Sequence, residues 1–212
     1  MIVRSIRFDG FYLTLCDSAN IAPIVEEDLT MQTTVREAVI VEFEAAAKAA
    51  VATVDIIDRT PDALAKAILA ATGDANRILF ARPQDLPAEL FSQVLRHPHV
   101  SSNPTPEQWV DSPVGVTEAF AGVARTGSVC VDVGYEQIGM ASLLTPLHIA
   151  VVAAETIVPQ PRDLFRADIL GGKGLTRSFV FITGPSATAD MGPLVRGVHG
   201  PHRLHIIVLR ST

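Results

Sequence analysis

"VATVDIIDRTPDALAKAILAATG", residues 51–73, decides the fold class. Its first part, Val51–Ile57, is a short β-branched and apolar run of the kind that forms a buried strand. The second part carries the signals of a helix start and stop. Thr60 is placed to cap, Pro61 suits the first helical turn, Asp62 complements the helix dipole and Gly73 ends the segment. A buried strand running straight into a capped, Ala-rich helix is the repeating unit of α/β proteins.

The same alternation extends outward in both directions. Towards the amino terminus, Val35, Val39, Phe43 and Ala46 recur at helical spacing and predict a helix from Thr34 to about Ala50. Residues 1–33 read as an extension of unclear structure, with a strand-like "FYLTL" and an acidic linker, "PIVEEDLT". Towards the carboxyl terminus, "RILFA" (77–81) predicts a strand and "PAELFSQVLRH" (87–97) a short helix. "SSNPTPEQWVDSP" has loop composition. Then come a β-rich pair of runs in "VGVTEAFAGVARTGSVCVDVG", the strand of "LHIAVVAAETIV", a helix in "PRDLFRADIL" and a flexible break at "GGKG". The strands of "SFVFITG" and "RLHIIVL" close the series. Strands alternating with helices imply one layered α/β domain over 34–212 with a mostly parallel sheet.

Composition narrows the function classes. Of 212 residues, 48% are hydrophobic and 19% charged, which excludes a disordered chain. Seventeen basic against twenty-three acidic side chains give a net charge of −6, opposite to what nucleic-acid binding needs. The chain has two cysteines, Cys16 and Cys130, far apart. They supply neither a disulfide framework nor the four thiolates of an iron–sulfur cluster, and suit a reducing, cytoplasmic compartment. No apolar run reaches the length of a membrane span, because His148 and Glu155 interrupt the longest one.

Three patches could carry chemistry. In "ARTGSVCVD", Thr126, Gly127 and Ser128 form either a plain turn or one whose N–H groups and hydroxyls face a ligand. "TGPSATAD" (183–190) follows the strand of "SFVFI", and the crevice of open α/β sheets lies beyond strand carboxyl ends. There Gly184 and Pro185 shape the backbone, while Ser186, Thr188 and Asp190 offer polar groups for a ligand or for a helix cap. In "GVHGPHRLH", His199, His202 and His205 fall at intervals of three. That interval sends successive strand side chains to opposite faces, so no metal site is expected. His199, followed by Gly200 and Pro201, remains a polar contact or proton carrier. Glu118 reads as a nucleophile, a base or a surface charge.

At these patches the chain resembles the LUD-domain family of lactate utilization protein C. The matching stretches are "GVTEAFAGVARTGSVCVDVG", "LTPLHIAVVAAETIVP" and "FITGPSATADMGPLVRGVHGPHRLHIIVL". The resemblance is good over about 110–209, pattern-level over 34–100 and absent before 34. It implies a three-layer α/β fold of the NagB/RpiA/CoA-transferase kind. It also implies a role in oxidising lactate to pyruvate beside iron–sulfur partner subunits, as the member that holds no cofactor of its own. Many relatives carry Glu where Arg125 stands and an acidic residue where Gly192 stands, which favours an accessory subunit over a catalyst. On that expectation Thr126–Ser128, Gly184–Ser186, Thr188, Asp190, His199 and Gly200 bind a small anion or a partner. The other reading is an enzyme of the same fold acting on a CoA thioester or a sugar phosphate, with Glu118 as nucleophile or base.

Overall fold

The computed structural model describes residues 4–8, 11–15, 22–134, 136–190 and 192–210, with side chains from residue 34 onward except at 106, 110, 136, 167, 171 and 172. The chain divides into two units, 1–37 and 38–212. In the first, β1 (Arg4–Phe8) and β2 (Phe11–Leu15) pair as an antiparallel hairpin, Phe8 opposite Phe11. The helix α1 (Ala22–Ala49) begins in this unit and runs through the whole of "PIVEEDLT" (23–30), the stretch expected to be a linker.

The second unit is built on six parallel strands in the order β3-β14-β9-β6-β4-β5. In chain order these elements begin with β3 (Thr53–Asp58), α2 (Pro61–Thr72), β4 (Ile78–Phe80) and β5 (Val100–Ser101). They continue with α3 (Pro106–Val110), β6 (Val114–Ala119), β7 (Ala121–Val123) and β8 (Ser128–Asp132). Next come α4 (Glu136–Leu143), β9 (Leu147–Ala153), β10 (Ile157–Val158) and α5 (Ala167–Leu170). The series ends with β11 (Phe179–Ile182), β12 (Ala187–Thr188), β13 (Val195–Arg196) and β14 (Arg203–Arg210). Among the described residues no helix is long and apolar enough to cross a membrane.

Strand β14 is the pivot, paired along its length to β9 on one side and to β3 on the other. Its Leu204 to Leu209 run is buried throughout, His205 included, as a strand covered on both faces requires. On one face Ile78, Phe80, Val116, Ile149 and Ile207 pack against Leu64 and Ile68 of α2 and against Leu90, Phe91 and Val94. The α2 boundaries follow the sequence signals: the Thr60 hydroxyl accepts the Ala63 N–H at 3.2 Å, and Gly73 ends the helix at φ 58°. The helix expected over 87–97 is instead two 3₁₀ turns, Ala88–Phe91 and Val94–Arg96. Pro106 opens the short α3 within the expected loop, where Gln108 accepts the Thr105 N–H at 3.0 Å.

The opposite face packs on α1, α4 and a second sheet, ordered β10-β7-β8-β11. From α1 the buried stripe is Ile40, Phe43 and Ala47, shifted from the expected set. Strand β11 belongs to this second sheet, antiparallel to β8, and so is not a strand of the parallel one. The far side of the second sheet, with Ala121, Val123 and Cys130, lies under Leu164 and Ile169. The expected helix over "PRDLFRADIL" is a 3₁₀ turn, Pro161–Phe165, and the single helical turn of α5. The "GGKG" segment is a further 3₁₀ stretch, Gly171–Thr176, tied down by Lys173, whose Nζ lies 2.7 Å from Asp132 Oδ2.

Candidate functional site

The polar side chains sort to two opposite edges of the parallel sheet. At the carboxyl edge, Glu118 near the end of β6 is 4% exposed. Its Oε1 accepts the N–H groups of Gln84 and Asp85, and its Oε2 those of Asp85 (3.1 Å) and Leu86 (2.9 Å). Burial pushes its pKa up, against the three N–H donors that favour the charged form. The loop held this way carries Asp85, which accepts a bidentate pair from Arg177 at 2.8 and 2.9 Å. Arg177 also lies 3.4 Å from Asp132, donates from Nε to the Leu170 carbonyl at 3.2 Å and sits 4.2 Å over the Phe120 ring. The hydrogen bonds from Arg177 hold the Asp85 carboxyl below its ordinary value. This network ties the loop after β4, the end of β8 and the start of β11 together, and it spends its charges on one another.

The amino edge is different. There the 183–187 loop after β11 meets the turn that leads into β14. The Ser186 N–H donates to the Pro201 carbonyl at 2.9 Å, and the Gly197 N–H donates to Ser186 O at 2.9 Å. Between them lies a cleft of about 530 Å³ lined by Ser142, His148, Thr183, Ser186, His199 and Gly200 among others. Gly184, Pro185 and Leu204 also line it. A second hollow of about 510 Å³ shares Pro185 and Leu204 with the first and is lined by Arg196, His202, Arg203, His205 and Asp55. Of these, His205 bonds Thr53 Oγ1 through Nδ1 at 2.7 Å and lies 3.4 Å from Asp55 through Nε2. Burial lowers its pKa, and Asp55 partly restores it. Arg196 and Arg203 enter no ion pair among the described residues, so this rim is locally positive in an acidic chain.

Not every residue expected at a site lies in the cleft. Thr126, Ser128 and Thr183 form a hydroxyl chain, with Oγ–Oγ distances of 2.7 and 2.6 Å, that joins the 126–128 turn to the cleft wall. Gly127 (φ 63°) and Gly184 (φ 75°) serve packing: a Cβ on either would overlap the backbone at the end of α1, at Ala47 and Ala50 respectively. Thr188 pairs opposite Val195 in the β12–β13 ribbon and its hydroxyl accepts the Asp190 N–H at 3.4 Å, so these two shape a turn beside the cleft. Arg125 is exposed, and a Cβ on Gly192 would meet open space. Among the described residues no group of three His, Cys, Asp or Glu side chains is arranged to hold a metal ion. His199 and His202 precede β14, which leaves His205 alone of the three on the strand.

The residue that sequence reasoning missed is His148. It is fully buried on β9, its Nε2 lies 2.9 Å from Thr117 Oγ1 on β6, and its Nδ1 has no partner among the described residues. Burial pushes its pKa down to about 3, so the ring is uncharged at neutral pH. The only signal in the sequence was one imidazole inside an otherwise apolar strand, "LHIAVVA". Gly115 stands opposite it on β6, and a Cβ there would overlap the Ala141 carbonyl, so the glycine lets α4 pack close against this part of the sheet. The amino edge thus combines a neutral buried imidazole and the Ser186 hydroxyl in the cleft with two arginines on the adjoining hollow, a donor set for a small anionic or oxygen-rich molecule.

Comparison with known proteins agrees in fold and in sequence. The LUD domain profile matches residues 91–209. The lactate utilization protein C of Deinococcus radiodurans is 32% identical over 158 residues, covering 70% of this chain and 68% of that protein. The lactate utilization protein C of Bacillus subtilis is 35% identical over 100 residues, covering 45% of this chain and 42% of that protein. The match therefore spans less than half the length of the Bacillus relative. A crystal structure of a DUF162 family protein from Deinococcus radiodurans superposes with a TM-score of 0.61 at 22% identity, covering 82% of this chain and 98% of that one, a likeness of fold.

Proposed function

The chain belongs to the LUD domain family, and on that premise we propose that it serves lactate utilisation as a cytoplasmic subunit that works with iron–sulfur partner proteins. In this reading the amino-edge cleft receives a small carboxylate, lactate or pyruvate, and the surface around residues 197–203 meets a partner. The observation that carries the reading is the cleft itself: two of the three stretches shared with the LUD family, those holding His148 and residues 181–209, line one 530 Å³ hollow, next to a second hollow with two arginines that no carboxylate pairs among the described residues. A positive rim raises the local concentration of an anion, and hydroxyls with a neutral imidazole orient it without a buried countercharge.

The enzyme reading, with Glu118 as nucleophile or base, has less support. Both carboxylate oxygens are taken by backbone N–H groups, and Glu118 lines neither amino-edge hollow. We assign it to anchoring the loop after β4.

The test uses Ala187, an exposed residue at the cleft mouth. In a bacterium that has lost growth on lactate through deletion of its own LUD-domain gene, the wild-type chain restores growth and Ala187→Trp, which fills the cleft, does not. Circular dichroism checks that the variant folds. Full growth with a folded Ala187→Trp protein would remove the cleft from the function.

A further inference from the structure

We propose that His148 selects what the cleft holds, by presenting an Nδ1–H donor to an acceptor oxygen of the carboxylate, keto or phosphoryl class. The inference rests on the reading of the cleft as the site of a small anion, and adds the residue that recognises it and the sense of the hydrogen bond.

The argument turns on where the imidazole proton sits. His148 is 0% exposed, as is Thr117, its hydrogen-bond neighbour. At 2.9 Å either group could donate. If His148 carried its proton on Nε2, that N–H would donate to Thr117 Oγ1. The Thr117 hydroxyl proton would then lack an acceptor, and Nδ1 would be a bare lone pair as well. Two buried groups would go unsatisfied. With the proton on Nδ1, Thr117 donates to Nε2, its hydroxyl proton is used, and one N–H remains. A buried donor or acceptor left unmade is costly, so the arrangement with the single orphan is favoured. The ring cannot satisfy both ends by becoming charged, because burial pushes its pKa down to about 3.

The remaining N–H belongs to a side chain that lines the 530 Å³ cleft and finds no partner among the described residues. A fully buried donor at the wall of a polar hollow is completed by whatever enters it. Its surroundings fit an acceptor-rich guest. Ser186 and His199 also line the cleft and bring a hydroxyl and an imidazole that can donate, whereas Ser142 spends its hydroxyl proton on the Gly139 carbonyl at 3.0 Å. A neutral donor also discriminates. An oxygen that accepts without proton exchange gains the bond, whereas an ammonium or an amide N–H pointed at Nδ1–H meets donor against donor.

The experiment is proton-detected long-range nitrogen NMR on protein labelled with ¹⁵N-histidine, with the His148 signal assigned from the His148→Gln spectrum. The expected result is the Nδ1–H tautomer in the free protein, with the His148 ring nitrogens shifting on addition of pyruvate, lactate or inorganic phosphate. His148→Leu should weaken the ligand that binds the wild type about tenfold, the loss of one hydrogen bond to a charged acceptor, while His148→Gln, which keeps an N–H donor, retains most of the affinity. An Nε2–H tautomer overturns the proposal. So does binding that shifts the backbone amides of Gly184, Ser186 and Gly200 while His148 stays silent; the cleft would then still be the anion site, held by other groups. If none of the three compounds moves any cleft resonance, the reading of the cleft falls, and this inference with it. The wild-type tautomer decides the matter even if the leucine variant fails to fold.

Discussion

At the scale of single residues, Glu118 illustrates how one buried carboxylate can organise a loop. Its oxygens stand in for the backbone acceptors that residues 84–86 lack. In Glu118→Gln the charge is lost and an amide N–H₂ is turned towards N–H donors. The expected cost is about 2–3 kcal/mol, read as a melting temperature lower by roughly 5–10 °C. An unchanged melting temperature would show that the loop holds itself. The neighbouring pair has a pH signature. Asp85 has its pKa depressed below 3.8 by the Arg177 hydrogen bonds, so the stability it contributes is present above that value and is lost as pH falls through the lower, folded-state pKa. Urea midpoints of the wild type should therefore drop as pH falls below 3.8, and the drop should be shallower in Asp85→Asn. Equal slopes would mean that the pair is screened by solvent, since Asp85 keeps 37% of its side chain exposed.

At the scale of elements, the end of α1 is a template on which two turns are pressed. Gly127 and Gly184 touch it within a few residues of each other and both have positive φ. In Gly184→Ala the new methyl meets the Ala50 carbonyl as well as an unfavourable backbone region, for a cost of about 2–4 kcal/mol. Gly139 is the contrast. It lies inside α4 with nothing nearer than 3.9 Å to an added Cβ, so Gly139→Ala should stabilise by about 0.5–1 kcal/mol. Denaturant melts of the two variants, moving in opposite directions, are the check. Local grammar of this kind was legible in the sequence: Thr60, Pro61 and Gly73 bound α2 by contacts within a single turn. The second sheet was not legible, because nothing in "SFVFI" says whether it pairs with β8 or joins the parallel sheet. The His148–Thr117 pair was hidden for a related reason. The two residues are 31 positions apart and meet across β6 and β9, whose register depends on the whole sheet. Likewise "GGKG" looked like a flexible break because its anchor, Asp132, lies 41 positions from Lys173.

At the scale of the whole molecule, ligand supply separates this chain from its proposed cluster-bearing partners. Cys130 is buried on β8 with its pKa pushed up to about 12, and Cys16 lies outside the described residues. Two cysteines cannot provide four thiolates, so anaerobic reconstitution with iron and sulfide should leave the purified protein without visible charge-transfer absorbance. A stoichiometric cluster in the isolated chain would contradict the assignment. Finally, the central position of β14 bears on how the protein is made. A ribosome releases β3, β4, β6 and β9 before residues 203–210 exist, and among the described residues β3 has no strand partner but β14. During synthesis the nascent chain therefore carries an unpaired strand and an open seam beside β9, the kind of exposed edge that invites chaperones or aggregation until the final strand slots between them.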